Sequence, residues 1–206
     1  MTISSTPAPA RSDVRFDTSA APRTRHPYRI HGRVLSAGAM LWSAGIMTFG
    51  NNPTDTLGLA VFGLSSGAFQ VGLLFLLRAL WRSRALGEGR LSRAVLRVEA
   101  GMVCLAIGST FVDSIGISDL TQPGWILLDA FWPLSMLGMF LIGIRIAVAG
   151  RWTGAARFWP LVAESWAVVV IPTMVVFGST ASAVVASLHL LVGYTVLGVL
   201  VSRKVR

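Results

Sequence analysis

The sequence predicts an all-α integral membrane protein, a bundle of six transmembrane helices with both termini in the cytoplasm. Three observations carry that prediction. The 206 residues are 53% hydrophobic and only 13% charged, about half the charged fraction usual in a soluble domain, and the mean hydropathy is +0.66. The apolar residues fall into six runs separated by short polar turns. The basic residues gather in alternate connections only.

Residues 1–27 are rich in Ser, Thr, Ala and Pro, with Arg11, Arg15, Arg23 and Arg25 scattered among them. They read as a disordered basic tail, and they lack the continuous apolar run of a signal peptide. The transmembrane domain follows over 28–206. Its first run, 34–50, is short for a span but carries the bulk of Trp42 and Phe49. A polar turn from Asn51 to Thr56 leads into the second run, 57–80, which ends among Arg78, Arg82 and Arg84. The third, 94–116, follows a polar loop holding Glu88.

The fourth run, 125–149, has Asp129 and Arg145 as its only charges. At ~1.5 Å per residue it exceeds the ~30 Å hydrocarbon layer, and the rest of the chain reads as arranged around it. Pro133 frees the Asp129 carbonyl there, so this helix either kinks at Asp129 or begins with a first-turn proline. The fifth run, 158–177, has Pro172 in its middle, which predicts a kink at the unpaired Val168 carbonyl. A tight turn at 178–180 leads to the sixth, 181–201.

The charges test this count independently. Six basic residues precede the first run, six surround the loop between the second and third, three flank that between the fourth and fifth, and three close the chain. The other connections hold none, and Asp55, Asp113 and Asp119 lie at or near them. That segregation is the positive-inside pattern of a multi-pass protein of the cell membrane, with N-terminus and C-terminus cytoplasmic. Seventeen arginines against one lysine, with abundant Ala, Gly and Val, fit a bacterial inner membrane.

Several function classes drop out. The net charge of +9 would raise nucleic-acid binding in a soluble protein, but here the arginines sit in short loops, so topology accounts for them and no nucleic-acid partner is implied. Cys104 is alone, which excludes an intrachain disulfide and paired-cysteine redox chemistry. Lys204, the one lysine, lies at the chain end, so no intramembrane Schiff base is available. His26 and His31 belong to the inner edge, which leaves His189 without a second axial ligand for haem. Ser135 stands in PLSML without flanking glycines, and GLSSG at 63–67 lies within an apolar helix rather than on a strand-to-helix turn. No motif for a cofactor or metal is present, and no aspartate-rich diphosphate motif.

Ionisable groups inside spans are expensive, and they are the first place to look for chemistry. Glu99 and Glu164 have no basic residue three or four positions away on their own helices. By depth their partners would be Arg145, Arg78 and Arg97, giving a cluster that either pins hairpins together or serves as a proton or substrate site. A weak parallel repeat, LRVEA at 96–100 against LVAES at 161–165, frames the two glutamates. Asp113 lies fourteen positions after Glu99, close to the same face and ~21 Å along the helix. His189, the one histidine well inside a span, falls at a depth comparable with Gln70 and is expected to bond a neighbouring Ser or Tyr194.

Trp42, Phe62, Phe69, Phe111, Phe131, Trp132, Trp166 and Phe177 fall inside spans, whereas Trp81, Trp125, Trp152 and Trp159 read as an interfacial belt. Small-residue ladders at Gly63–Gly67, Ala100–Cys104–Gly108 and Ser179–Ala183–Ser187 predict close helix packing within the bundle or in a homo-oligomer. The reading that follows is a small carrier or ligand-binding bundle using Glu99 and Glu164, in contact with membrane lipids. The alternatives are an intramembrane enzyme acting on a lipid or isoprenoid, with Asp129, Asp113 or one of the two glutamates as acid beside the aromatics, and an accessory subunit whose charges only organise helices.

Overall fold

The computed structural model describes residues 27–119 and 121–203; the predicted tail, except Pro27, and the three residues after Arg203 lie outside them. Among the described residues the chain is all-helical, with no strand. The helices are α1 (Arg29–Phe49), α2 (Thr56–Ser83), α3 (Arg90–Ser114), α4 (Pro123–Asp129), α5 (Phe131–Ala149), α6 (Ala155–Glu164), α7 (Trp166–His189) and α8 (Val196–Arg203). A π-helical turn, Leu190–Thr195, joins the last two. Four stretches are long and apolar enough to cross a membrane: Thr56–Ser83, Arg90–Ser114, Pro123–Ala149 and Ala155–Arg203.

The ends of these helices follow local chemistry. Asp55 caps α2, its carboxylate accepting from the Gly58 N–H at 2.8 Å. Pro123 sits in the first turn of α4, where its missing N–H is not needed. The 49-residue stretch Ala155–Arg203 folds back on itself at Gly178 (φ 83, ψ 179), a conformation that L side chains rarely adopt. Cross-contacts fix the reversal. Ser182 Oγ donates to the Val170 carbonyl at 3.5 Å, His189 meets Ala163 and Trp159 meets Gly193, so the pairs converge on the turn from both sides.

The helix at the centre of the packing is α1, not the run 125–149 that stands out in the sequence. Nine of its residues are buried, and it touches α2, α7, α8 and the π-helical turn. Ile30, Met40, Leu41 and Met47 stay exposed on it, and it falls outside the four stretches that are most apolar among the described residues. Its glycines set the spacing. A Cβ on Gly32 would collide with the Gly198 carbonyl and with Ser202, and one on Gly38 with the Ala68 carbonyl and Phe69. Ser43 and Ser187 then bind α1 to α7, each hydroxyl reaching the other's carbonyl at 3.1 and 2.9 Å.

Three irregularities shape the interior. The run 125–149 breaks at Ala130, between α4 and α5, and Pro133 falls in the first turn of α5, so both alternatives read from the sequence apply at once. In the fifth run the backbone leaves the helix at Ser165 (φ −73, ψ 6), rather than at Pro172, which lies inside α7. The third is the π-helical turn, which no sequence pattern announced.

The described arginines and the aspartates separate to opposite ends. Contacts of Gly32 with Ser202, and of Trp152 Nε1 with Ser83 Oγ at 3.0 Å, gather the start of α1, the end of α8 and the loops after α2 and α5. Arg84 and Arg151 both pair with Glu88 at that end, at 3.0 and 3.8 Å. Trp152, expected at the interface, is fully buried there. The other end holds Asp55, Asp113, Asp119 and Asp129. Asp119 accepts from the Thr121 hydroxyl at 2.7 Å, from the Thr121 N–H and from Gln122, and these bonds hold its carboxyl below the usual carboxylate range.

The small-residue ladders divide. Gly63 packs on Ser114 and Ser187 on Ser43, whereas Gly67 and Gly108 meet nothing within 4 Å and Cys104 is exposed. Gly32→Ala and Gly198→Ala are each expected to lower stability by about 1–3 kcal/mol through overpacking. Gly67→Ala, at an open position, is expected to leave it unchanged or slightly raised, as measured by thermal unfolding in detergent.

Candidate functional site

Two polar centres lie inside the bundle, on either side of a layer of aromatic rings. The first holds the two glutamates that the sequence singles out. Glu164 closes α6, and the widened turn after His189 carries Tyr194 to it, so that Tyr194 Oη donates to Glu164 Oε2 at 2.7 Å. Glu99, on α3, presses its carboxyl against Gly138 of α5, where a Cβ would collide with Oε2. Both glutamates are 2% exposed, lie within electrostatic reach of each other, and have one oxygen without a hydrogen-bond partner.

The arginines expected beside them are elsewhere. Among the described residues neither glutamate makes an ion pair. Arg145 is exposed and reaches toward Gly87 in the loop after α2. Arg78 is exposed too, in a groove shared with Trp81, Arg82 and Arg97. Long guanidinium side chains carry their heads to the wet end of the bundle while their stems stay on apolar surface. A carboxylate buried without a cation costs several kcal/mol, so these two glutamates are a costly feature of the interior, one that the Tyr194 hydroxyl meets only in part.

The second centre is a cavity of about 400 Å³ toward the aspartate end, between α2, α3, α5 and α7. Its walls include Trp42, Phe62, Trp132 and Trp166, and Asp113 and Asp129 stand in it together with Gln70. The break at Ala130 places Asp129 there. Asp129 is exposed and lines this cavity together with Ser109 and the half-buried Asp113. Asp113 and Asp129 thus line one cavity from different helices, a grouping the sequence reading did not make.

The rings form a continuous contact set. Trp42 stacks on Phe69 at 5.0 Å and on Trp166 at 5.8 Å, and it meets Trp132 and Phe62 edge to face. Phe69 in turn meets Tyr194 at 4.7 Å. Several polar atoms here have no partner. Gln70 is 1% exposed; its Nε2 donates to Thr110 Oγ1 at 2.7 Å, and its Oε1 is left unpaired. The indole N–H groups of Trp42 and Trp166 are unpaired too. Native interiors leave few such groups unpartnered, and each costs about 1–3 kcal/mol.

The remaining candidates serve the fold. His189 meets the Ala163 carbonyl at 3.1 Å, a backbone partner in place of the Ser or Tyr194 expected, because the break at Ser165 leaves that carbonyl without its helical donor. Ser135 Oγ donates to the Trp132 carbonyl, away from His189. Trp159 Nε1 donates to the Gly193 carbonyl in the π-helical turn at 2.9 Å. Among the described residues no three His, Cys, Asp or Glu side chains gather as a metal site would need.

Sequence reading missed Trp42, Trp166 and Tyr194 as members of polar centres. The signal was faint, since it lay in three runs whose facing surfaces no local pattern reveals. Tyr194→Phe removes the one donor to Glu164 and is expected to cost about 1–3 kcal/mol. Glu164→Gln, which keeps an acceptor for Tyr194, is expected to cost less. Thermal unfolding of the two variants in the same detergent checks the order.

No protein-family model, curated protein or solved structure matches the chain, so its functional reading is built on these two centres.

Proposed function

We propose that the chain is a ligand-binding bundle of the cell membrane, a small carrier whose ligand occupies the aromatic cavity between α2, α3, α5 and α7. The observation that carries the reading is the convergence, in about 400 Å³, of four aromatic side chains, two carboxyls and the unpaired polar atoms of Gln70, Trp42 and Trp166. Ligand sites are largely apolar hollows with a few polar groups aimed inward, and this volume lies in their usual range. The reading moves the binding site from the Glu99 and Glu164 pair to the cavity. It leaves the glutamates as the candidate proton site of the carrier, Glu164 being linked to the cavity wall through Tyr194, Phe69 and Trp42.

The bundle crosses the membrane six times with both termini cytoplasmic. In support, the 21 residues of α1 reach ~30 Å, the reversal at Gly178 divides the longest apolar stretch in two, and the described arginines gather at the end holding the described chain termini. In this orientation the cavity, with Asn51 and Asn52 in its lining, lies toward the non-cytoplasmic side. On the cytoplasmic side, Arg78, Arg82 and Arg97 face anionic lipid headgroups.

Native mass spectrometry of the protein purified in mild detergent tests the reading. The expected result is one small molecule per chain, lost when Gln70→Leu and Trp166→Leu are introduced. A wild-type chain that is empty in several detergents, and whose stability the cavity variants leave unchanged, overturns it.

The enzymatic alternative has its own support, since Asp113 and Asp129 stand beside rings that could shield a protonated isoprenoid. A retained isoprenoid that the wild type rearranges and Asp129→Asn does not would favour that alternative over the carrier.

A further inference from the structure

We infer that the cavity is built for an organic cation, a compact apolar body bearing a protonated or quaternary nitrogen. The inference rests on the ligand-binding reading and narrows it to one chemical class. Its starting point is the pairing of Asp113 and Asp129 on separate helices. The two carboxylates line one cavity, and among the described residues no arginine or lysine stands at this end of the bundle. Asp55 and Asp119 are occupied by a helix cap and a loop turn. Asp113 and Asp129 line the cavity from two helices and, among the described residues, make no ion pair, so a positive ligand there would meet two carboxylates not already neutralised.

The walls agree with that charge. A cation is attracted to the faces of indole and phenyl rings, most strongly to tryptophan, and gains more when water is excluded. Trp132, Trp166 and Phe62 line the cavity beside the carboxyls, while Trp42 stacks on two of its neighbours and has an unpaired N–H. Gln70 Oε1, buried and unpaired, is a further acceptor for an N–H of the ligand.

Competing occupants fit less well. An anion would meet two carboxylates. A divalent metal needs a shell of oxygen or nitrogen ligands, and the described residues offer no group of three acidic, His or Cys side chains. A transient carbocation needs a wall free of nucleophiles, whereas Ser66, Ser109 and Thr110 place three hydroxyls in this one. A stable nitrogen cation is indifferent to those hydroxyls and is solvated by them.

The test uses the full chain in mild detergent and three benzyl probes. Benzyltrimethylammonium and benzylammonium carry the charge, and neopentylbenzene is the neutral counterpart of the first. Calorimetry and the rise in unfolding temperature read binding. The expected result is saturable binding of at least one cation at one per chain, about tenfold or more tighter than the neutral probe. Asp129→Asn and Asp113→Asn, whose shapes are unchanged, should each weaken the cation by about tenfold while leaving the neutral probe unaffected. Equal binding of charged and neutral probes, unchanged by both variants, overturns the inference and leaves a ligand cavity of another class. If no probe binds and the purified chain retains no small molecule, the inference and the ligand-binding reading fail together.

Discussion

The close approach of backbones around α1 is the constraint from which the rest of the bundle follows. Lipid is as apolar as a leucine side chain, so helices in a membrane gain nothing by hiding apolar surface from it; they associate through tight packing and hydrogen bonds. Gly32 lets α8 in until its Gly198 carbonyl lies where a side chain would be, and Gly38 does the same for α2 at Ala68 and Phe69. With two neighbours drawn in on α1, Trp42 reaches Phe69 on α2 and Trp166 on α7 from a single position. The aromatic layer is a consequence of those missing side chains.

That layer gives the interior its organisation. On one side lie Glu99, Glu164 and Tyr194, packed without a cavity of useful size. On the other lies the hollow that holds Asp113, Asp129 and Gln70. Phe69 touches both, through Tyr194 on one side and through Trp42 and Trp132 on the other. A shift of Trp42 therefore presses on Phe69, and through it on the tyrosine that bonds Glu164. The π-helical turn bears on the same contact. It widens the backbone just where Tyr194 must turn inward, and it exposes the Gly193 carbonyl that Trp159 uses. Such turns recur at functional positions because they re-aim one side chain without ending the helix.

How far the sequence reached can be judged residue by residue. Apolar runs, capping by Asp55, the turn at Gly178 and the segregation of arginine are properties of short stretches, and short stretches of text reveal them. Glu99, Glu164, Asp113, Asp129 and Gln70 stood out because a polar group inside an apolar run is costly wherever it points. Their grouping did not stand out. It depends on how each helix is rotated, and the rotation is set by partners far away in the chain, as Gly32 and Gly198 illustrate. Pro172 misled for a related reason. The loss of one hydrogen bond is certain from the sequence, yet the helix broke at Ser165, where His189 on the facing helix takes over the Ala163 carbonyl. The arginines misled because depth along the sequence says where a stem begins and not where a long side chain ends.

The distribution of charge along the bundle bears on what can enter it. A net charge of +9 would at first sight turn away anything positive. Charges separated by more than a Debye length of ~8 Å are largely screened in physiological salt, and the 28 residues of α2 alone set the two ends ~40 Å apart. At the aspartate end the local field is that of the aspartates, with the described arginines several screening lengths away. The described arginines are thus kept out of the cavity lining. Had Arg145 or Arg78 turned inward to pair with the glutamates, a positive charge would stand behind Phe69 in a low-dielectric interior, where it is screened least. Their placement at the wet end keeps the aromatic cavity a place where positive charge is favoured.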